Sequence, residues 1–339
     1  MLRWCGMELK EIGEFGLIDL LKEDTIHDPD TVVVGIGDDS AVLRPLPQRL
    51  QLVTADMLVE GVHFHLATSN ANQLGHKAIA VNLSDIAAMG GTPRHAVISV
   101  ALPAAIPVDF VLNLYQGMKD ICRFHRVNIV GGDTVSSPSG LVINVTVIGD
   151  GSPDLVVCRS GAKAGDIIAV TNTLGNSGAG LDLLKLENWQ QYDFAAPLVE
   201  AHLTPWPQVR AGAMIAAAGA ASMDDISDGL ASELHEIAAA SNVSVQIQAS
   251  LVPLSPEVRH AADLFGKNPL DYALYGGEDF QLLFTMDPEQ FRQLQASDIG
   301  AKAVKIGEVF PPGQGVTMVR EDGQIEKLYP RGYNHFSRT

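Results

Sequence analysis

Apolar positions along this chain follow two periods, about 2 and about 3.6 residues, and therefore predict both strands and helices. Short runs rich in β-branched residues, ended by glycine, aspartate or proline, are typical of strands. They lie at 31–37, 51–64, 95–103, 128–134, 141–150, 166–176 and 243–248. Stretches with helical apolar spacing lie at 72–89, 108–125, 178–186, 209–220 and 229–242. This alternation predicts an α/β fold.

The length of 339 residues favours two domains over one. A polar, glycine-rich stretch between Asp150 and Ala164 separates the two halves, and each half has its own strands and helices. We therefore expect domains at 1–150 and 151–339.

Composition excludes several classes of function. Acidic residues outnumber basic ones by 40 to 23, and the net charge of −17 argues against nonspecific binding to nucleic acid or to an anionic membrane. Cys5, Cys122 and Cys158 form no pairing framework, which is typical of a reducing cytoplasm. The chain has no apolar run of membrane-spanning length and no signal-peptide pattern, so we expect a soluble cytoplasmic protein.

Six aspartates stand in short motifs at the ends of apolar runs or inside them. Clustered carboxylates repel one another unless cations hold them, and a dense set of oxygen ligands suits Mg²⁺ better than Zn²⁺. We expect the fold to gather these aspartates at a strand-end cleft and to use them for chemistry on phosphate. They are Asp39, Asp56, Asp85, Asp133, Asp225 and Asp228.

Each of these motifs also has a structural interpretation. GIGDD is compatible with a simple turn, and Asp228 with an ordinary helix N-cap. Asp85 would also be explained by a salt bridge to Lys77 or Arg94, because a buried carboxylate needs a partner. GNSGAG at 175–180 has neither dinucleotide-loop nor P-loop spacing, and a glycine-rich turn is the preferred interpretation.

Other segments contribute single candidates. In YGGED, Glu278 and Asp279 stand at the mouth of a strand, where one carboxylate would face a cationic substrate. Arg159 is a candidate for binding phosphate or a surface ion pair, and His63 is a candidate phosphate donor or a structural histidine.

Together these motifs resemble those of the thiamine-monophosphate kinases, in the superfamily of aminoimidazole ribonucleotide synthetases, selenophosphate synthetases and hydrogenase-maturation proteins. The resemblance runs in order from Glu14 to Phe336. GGDT and SDGL indicate the superfamily, whereas YGGED with the closing GYNHF indicates the kinase. The matching segments are GEFGLI, GIGDD, AVNLSDIAAMG, IVGGDT, RSGAKAGD, HLTPWP, DISDGL, YGGED and GYNHF.

The resemblance implies ATP-dependent phosphorylation of thiamine monophosphate to thiamine diphosphate with several Mg²⁺ ions. It also implies two α/β domains with mixed sheets, like aminoimidazole ribonucleotide synthetase, and a homodimer in which the N-terminal sheets pair near the active sites. The six aspartates would be metal ligands. ATP would contact Gly132, Asp133, Arg159, Ser227 and Tyr115, and His63, Glu278 and Tyr333 would line the thiamine phosphate pocket.

Two positions depart from the family pattern. Where family members often read Ser-Thr-Asp, this chain reads Thr54-Ala55-Asp56, so one hydroxyl is missing, and Thr54, the expected metal ligand, or a backbone carbonyl would replace it. After HLTPWP, Gln208 replaces the usual arginine, with Arg210 nearby.

The implied acceptor is a phosphate monoester that is largely dianionic at neutral pH, so we expect no catalytic general base. The rival hypotheses are an ATP-using synthetase of the same superfamily, a two-metal phosphohydrolase, and a metal-dependent binding protein without turnover.

Overall fold

The structure, a computed structural model, describes residues 7–37, 40–298 and 300–332. The chain forms two compact units, one of residues 1–86 and 92–153 and the other of residues 87–91 and 154–339. The sequence assigns the short segment 87–91 to the first domain. By its contacts it belongs to the second, where a Cβ at Gly212 would lie 2.1 Å from the carbonyl oxygen of Ala87.

The first unit contains a four-stranded mixed sheet, a separate pair of strands, and helices. Its elements are α1 (Leu9–Leu21), β1 (Val32–Val34), β2 (Val42–Leu43), β3 (Leu50–Val59), α2 (Ala71–Ala88), β4 (Thr92–Pro103), α3 (Val108–His125), β5 (Asn128–Ser137) and β6 (Val142–Gly151). Strands β1 and β2 form a separate antiparallel pair. The main sheet has the order β3-β6-β4-β5, and only β4 and β5 are parallel. Strands β3 and β5 are therefore its two edges.

The two faces of this sheet have different environments. Side chains alternate along β3: Leu52 and Leu58 are buried, whereas Val53 and Met57 are 66% and 53% exposed. Helix α2 covers the buried face, since Asn82 accepts a hydrogen bond from the backbone N–H of Asp56 at 3.1 Å. We call the covered side of the sheet its inner face and the exposed side its outer face.

The second unit has a seven-stranded sheet in the order β13-β12-β9-β11-β7-β10-β8, in which only β9 and β12 are parallel. Its strands are β7 (Ile167–Thr171), β8 (Ser222–Asp225), β9 (Ser244–Gln248), β10 (Leu282–Met286), β11 (Ala303–Phe310), β12 (Val316–Val319) and β13 (Ile325–Lys327). Its helices are α4 (Asn176–Leu184), α5 (Ala195–Leu203), α6 (Val209–Ala217), α7 (Leu230–Ser241), α8 (Pro256–Phe265), α9 (Pro269–Tyr275) and α10 (Pro288–Gln295). Among the described residues, no helix is both long and apolar enough to span a bilayer.

The prediction of a glycine-rich turn at 175–180 is wrong for most of that segment. Helix α4 begins at Asn176, because Gly175 adopts a left-handed conformation (φ 82°) and the Asp279 carboxylate accepts hydrogen bonds from the N–H groups of Gly175 and Ser177. These bonds satisfy N–H groups that have no partner within the helix. The cap comes from a residue about a hundred positions away, so the local sequence does not show it.

Helices α2 and α3 meet through glycines. A Cβ at Gly75 would lie 1.9 Å from the carbonyl oxygen of Leu114, and a Cβ at Gly117 would lie 1.9 Å from that of Asn72. Both contacts are with backbone, which has no flexible end to move away. The close approach of these two helices therefore requires glycine at both positions.

We expect Gly75→Ala to lower the free energy of unfolding by about 1–3 kcal/mol or more, because the added methyl overpacks the α2–α3 contact. Without the clash, the same change inside a helix would stabilise the protein by about 0.5–1 kcal/mol. Denaturant unfolding measures the sign. Gly131→Ala is the control, since a Cβ there meets nothing within 4 Å, and equal midpoints for the two variants would contradict the packing argument.

Candidate active site

In the first unit, β3 and α2 bring together three of the predicted metal ligands. Thr54 and Asp56 alternate with outer-face residues on β3 and so share its inner face, opposite Asp85 of α2. The Thr54 hydroxyl donates a hydrogen bond to the Asp85 carboxylate. A salt bridge between Asp85 and Arg94, one of the structural alternatives for Asp85, is disfavoured because the Arg94 guanidinium contacts Asp150 at 2.6 Å.

The electrostatics of this group suit a cation. Burial, and then the nearby charge of Asp85, raise the pKa of Asp56 from 3.8 to about 6. Both causes disfavour the charged form of Asp56, and a divalent cation bound by the carboxylates would offset both because it favours the charged form. The donor set of carboxylate and hydroxyl oxygens fits Mg²⁺.

Asp133 does not join this group within one chain. It lies on β5, and β3 and β5 are separated by three interstrand spacings, or about 14 Å. The register also places it in the row of Ser99, Asn144 and Met57, on the outer face. The expectation that one chain gathers all the aspartates is therefore not met for Asp133, because sheet order and register place it apart from Asp56.

The position before Asp56 lies on the same outer face as Asp133. Ala55 pairs with Thr146, and Thr146 pairs with Val97, which continues the outer-face pattern. The hydroxyl that the family often carries at position 55 is thus missing from the face that holds Asp133, whereas the hydroxyl of Thr54 points to Asp85.

Gly132 is tightly confined, because a Cβ there would lie 1.8 Å from the carbonyl oxygen of Ile98.

His63 is oriented by its own backbone turn. Its Nδ1 accepts a hydrogen bond from the N–H of Val59 at 3.0 Å. In the neutral ring the proton is therefore on Nε2, which makes Nε2 a donor. This tautomer suits the predicted contact with a phosphate oxygen.

Tyr115 has the environment of a core residue. It lies on α3 with 6% of its surface exposed, and burial raises the pKa of its hydroxyl. Its contact with ATP stays a prediction.

In the second unit, the DISDGL segment forms a loop between β8 and α7. Asp225 ends β8 and is buried, Asp228 is exposed, and Gly229 precedes the helix with φ 106°. Asp228 is not the N-cap, so the structural interpretation proposed for it does not hold. Instead Glu233 of α7 accepts a hydrogen bond from the Asp228 backbone N–H at 2.9 Å.

Arg159 lies beside a group of three carboxylates, Asp224, Glu233 and Glu236. Its Nε is 2.9 Å from Asp224 Oδ2, and its other end contacts Glu236. Burial raises the pKa of Asp224 to about 7 and that of Glu233 to about 8, and the charge of Arg159 opposes this for Asp224. Since Arg159 already occupies this acidic group, a cation there would compete with it.

The YGGED loop is hydrogen-bonded to the DISDGL loop. The Glu278 N–H donates to the carbonyl oxygen of Ser227 at 2.6 Å, and the Phe280 N–H donates to that of Ile226 at 2.9 Å. Glu278 and Phe280 both adopt positive φ (65° and 48°), an uncommon conformation that surrounding contacts must hold. The two loops therefore place Ser227 and Glu278 in one site.

Sequence reasoning missed two contacts made by the acidic residues of this loop. Asp279 is structural, because its carboxylate caps α4. His202, at the end of α5, has its Nδ1 3.3 Å from Glu278 Oε2. The only signal for His202 is its place in HLTPWP, a motif that carries the family resemblance without a role for the histidine.

Gln208 takes part in a network of uncharged polar groups that reaches Gln281, just after this loop. Its side chain donates to the Trp206 carbonyl oxygen at 2.9 Å and lies 3.5 Å from the Asn172 amide. Asn172 also donates to Gln281 at 2.8 Å.

Two predicted residues, Asp39 and Tyr333, lie outside the described residues. Gly332, the last described residue, packs against the second-unit loop: a Cβ there would lie 2.1 Å from the carbonyl oxygen of Asp228.

Comparisons with known proteins identify the family of this chain. The model of the AIR synthase related protein N-terminal domain matches residues 37–150, and that of the C-terminal domain matches residues 163–320. A thiamine-monophosphate kinase of Aquifex aeolicus (strain VF5) is 40% identical over 331 residues, covering 97% of this chain and 100% of the relative. The chain belongs to the thiamine-monophosphate kinase family.

Further relatives also match along nearly the whole chain. The thiamine-monophosphate kinase of Bacillus subtilis (strain 168) is 38% identical over 96% of this chain and 100% of its own. The solved structure of AaThiL complexed with AMPPCP and TMP has 38% sequence identity and a TM-score of 0.78, and covers 98% of this chain and 100% of that chain. These findings confirm the family, the α/β class with mixed sheets and the two-domain fold that the sequence predicts.

Asp56→Asn is expected to stabilise the protein without divalent cations at pH 8. The folded-state pKa of about 6 exceeds the ordinary 3.8, so the stability linked to Asp56 is present at low pH and lost as pH rises through about 6. Asparagine keeps the side chain neutral throughout.

Thermal unfolding in EDTA at pH 4 and pH 8 measures this effect. The advantage of the variant should be present at pH 8 and vanish near pH 4, and adding Mg²⁺ should stabilise the wild type more than the variant. Asp154→Asn, at an exposed carboxylate, is the control. A variant less stable than the wild type at pH 8 in EDTA would contradict the electrostatic assignment.

Proposed function

We propose that this protein transfers the γ-phosphoryl group of ATP to thiamine monophosphate and forms thiamine diphosphate. Support comes from family members that match along nearly the whole chain and from the relative solved with AMPPCP and TMP. The observation that carries the proposal is the group formed by Thr54, Asp56 and Asp85, whose electrostatics favour a cation that accompanies phosphate.

Magnesium is the proposed metal. Thr54, Asp56 and Asp85 would hold it in the first unit, whose Asp39 and Asp133 are further proposed ligands, and Asp225 and Asp228 would be ligands in the second unit. Bound Mg²⁺ would neutralise the phosphate oxygens and orient them for in-line transfer.

The residues of the chain supply positioning and charge. His63 would donate from Nε2 to a phosphate oxygen, which its hydrogen bond from Val59 to Nδ1 supports, and Ser227 lies in the same hydrogen-bonded loop pair as Glu278. The Glu278 carboxylate would face the positively charged thiazolium ring. Arg159 would reach ATP from its place beside Asp224.

No residue is needed as a general base. The acceptor is a phosphate monoester whose second pKa is about 6, so it is already largely dianionic at neutral pH. The main barrier is repulsion between two anions, which cations and N–H donors reduce.

We also propose that the protein works as a cytoplasmic homodimer. Both edges of the four-stranded sheet, β3 and β5, are unpaired within the described chain, and unpaired edges favour pairing with another chain. The outer face carries exposed apolar side chains, Val53, Met57 and Val135, which are 50% to 66% exposed. Pairing β3 of one copy with β5 of the other would close the two sheets into one barrel and bury these side chains.

This arrangement would complete the metal site between two copies. Asp56 and Asp133 lie on opposite edges of one sheet, so edge pairing brings the Asp133 strand of one copy beside the Asp56 strand of the other. Asp133 of one copy would then lie one strand away from Asp56 of the other, on the opposite face of the joined sheet, and we propose that it contributes to the same site around that strand edge.

We expect Asp56→Asn and Asp133→Asn each to lower the rate of thiamine diphosphate formation more than tenfold, because each removes a phosphate-neutralising ligand (tenfold is about 1.4 kcal/mol). Rates are measured with saturating Mg²⁺. Asp154→Asn is the matched control and should keep wild-type activity. Turnover by either active-site variant within tenfold of wild type would sink its assignment as a metal ligand.

Mixed dimers of the two variants should regain activity. In a dimer of one Asp56→Asn chain and one Asp133→Asn chain, one site carries both changes and the other carries neither. Purified mixed dimers, selected through two different affinity tags, are expected to show about half of wild-type activity per dimer, one intact site of two. Inactive mixed dimers would show that each site is built within one chain.

A further inference from the structure

A buried histidine lies directly behind the Glu278 carboxylate. His202 Nδ1 is 3.3 Å from Glu278 Oε2 and 3.0 Å from the Ser177 hydroxyl oxygen. His202 is only 6% exposed, whereas the side chain of Glu278 is 27% exposed. The carboxylate therefore has a buried side, which contacts the histidine, and a side open to solvent.

The three residues come from three elements, each of which is held in place by further contacts. Ser177 stands in the first turn of α4, which Asp279 caps. His202 stands in the last turn of α5. The backbone of Glu278 is held by its hydrogen bond to Ser227 at a positive φ of 65°.

A carboxylate accepts hydrogen bonds and does not donate them, so a proton on Nδ1 of His202, which lies 3.0 Å from the Ser177 hydroxyl oxygen, would also be donated toward Glu278 Oε2 at 3.3 Å. Such a bond fixes one carboxylate oxygen, Oε2, on the protein side. The exposed part of the Glu278 side chain is the part that a cationic ligand would approach.

We propose that His202 is a positioning residue that orients the Glu278 carboxylate toward the cationic ring of the phosphoryl acceptor. This inference rests on the proposed function, since it takes thiamine monophosphate as the acceptor. His202 is too deeply buried to contact the ligand, so its effect reaches the acceptor through Glu278. The residue thus sets the affinity for the acceptor and leaves the affinity for ATP unchanged.

Three variants separate positioning from a general structural effect. His202→Leu removes the N–H donor and puts an apolar side chain of similar size in its place. His202→Asn keeps an amide donor near the place of Nδ1. Ser177→Ala is the matched change in the same buried cluster, because it removes the hydroxyl that shares Nδ1 of His202 and keeps both His202 and Glu278.

Steady-state kinetics with thiamine monophosphate and ATP varied separately give the result. His202→Leu is expected to raise the KM for thiamine monophosphate about tenfold, the order of a lost charge-assisted hydrogen bond, with the KM for ATP within about twofold. His202→Asn should recover most of the loss, and Ser177→Ala should resemble the wild type.

A double-mutant cycle provides the second measurement. If His202 acts through Glu278, then in a Glu278→Gln background the change His202→Leu should no longer alter the KM for thiamine monophosphate. If the leucine variant does not fold, His202→Ala, which also lacks the donor, replaces it in the cycle.

The outcomes distinguish the two proposals. A wild-type protein that forms no thiamine diphosphate overturns the proposed function, and with it the acceptor on which this inference depends. An active wild type with equal rises in both KM values, no recovery in His202→Asn, or additive effects in the cycle overturns the positioning role alone.

Discussion

Burial of carboxylates that the fold holds close together, reinforced by their mutual repulsion, is the constraint on which this protein's candidate site depends. In the first unit, burial and the charge of Asp85 both raise the pKa of Asp56. In the second unit, Asp224 and Glu233 are buried side by side, and Arg159 supplies a positive charge next to Asp224. A fold that keeps such groups needs cations, and a phosphate substrate can share those cations.

The second unit meets a different requirement, which is to fix a carboxylate in a loop. Two residues with positive φ, Glu278 and Phe280, are held by hydrogen bonds to the neighbouring loop. Asp279 between them caps α4, so the same short loop both caps a helix and carries the candidate acceptor-site residue Glu278. Stability and function are thus divided between adjacent acidic residues, with Asp279 directed inward and Glu278 directed toward solvent.

Much of this could be predicted from the sequence because local patterns determine it. The alternation of Thr54 and Asp56 places both on one strand face, and the apolar neighbours of Asp85 indicate a carboxylate with a special role. The order of motifs identifies the family. These signals lie within a few residues of the side chains concerned, and local physical rules are sufficient to interpret them.

The remaining features depend on contacts between distant parts of the chain. Neither sheet order nor register is visible in GGDT, so the sequence could not show that Asp133 lies on the edge opposite Asp56. Likewise, the cap from Asp279 to α4 and the contact of His202 with Glu278 join segments dozens of residues apart. Asp39 and Tyr333 stay predictions from the family resemblance.

The most direct test of the central claim is to incubate the purified protein with ATP, Mg²⁺ and thiamine monophosphate and to separate the products by chromatography. The account predicts thiamine diphosphate and ADP in equal amounts, with both abolished by EDTA. Release of inorganic phosphate in place of thiamine diphosphate, or formation of thiamine diphosphate that persists in EDTA, would contradict it.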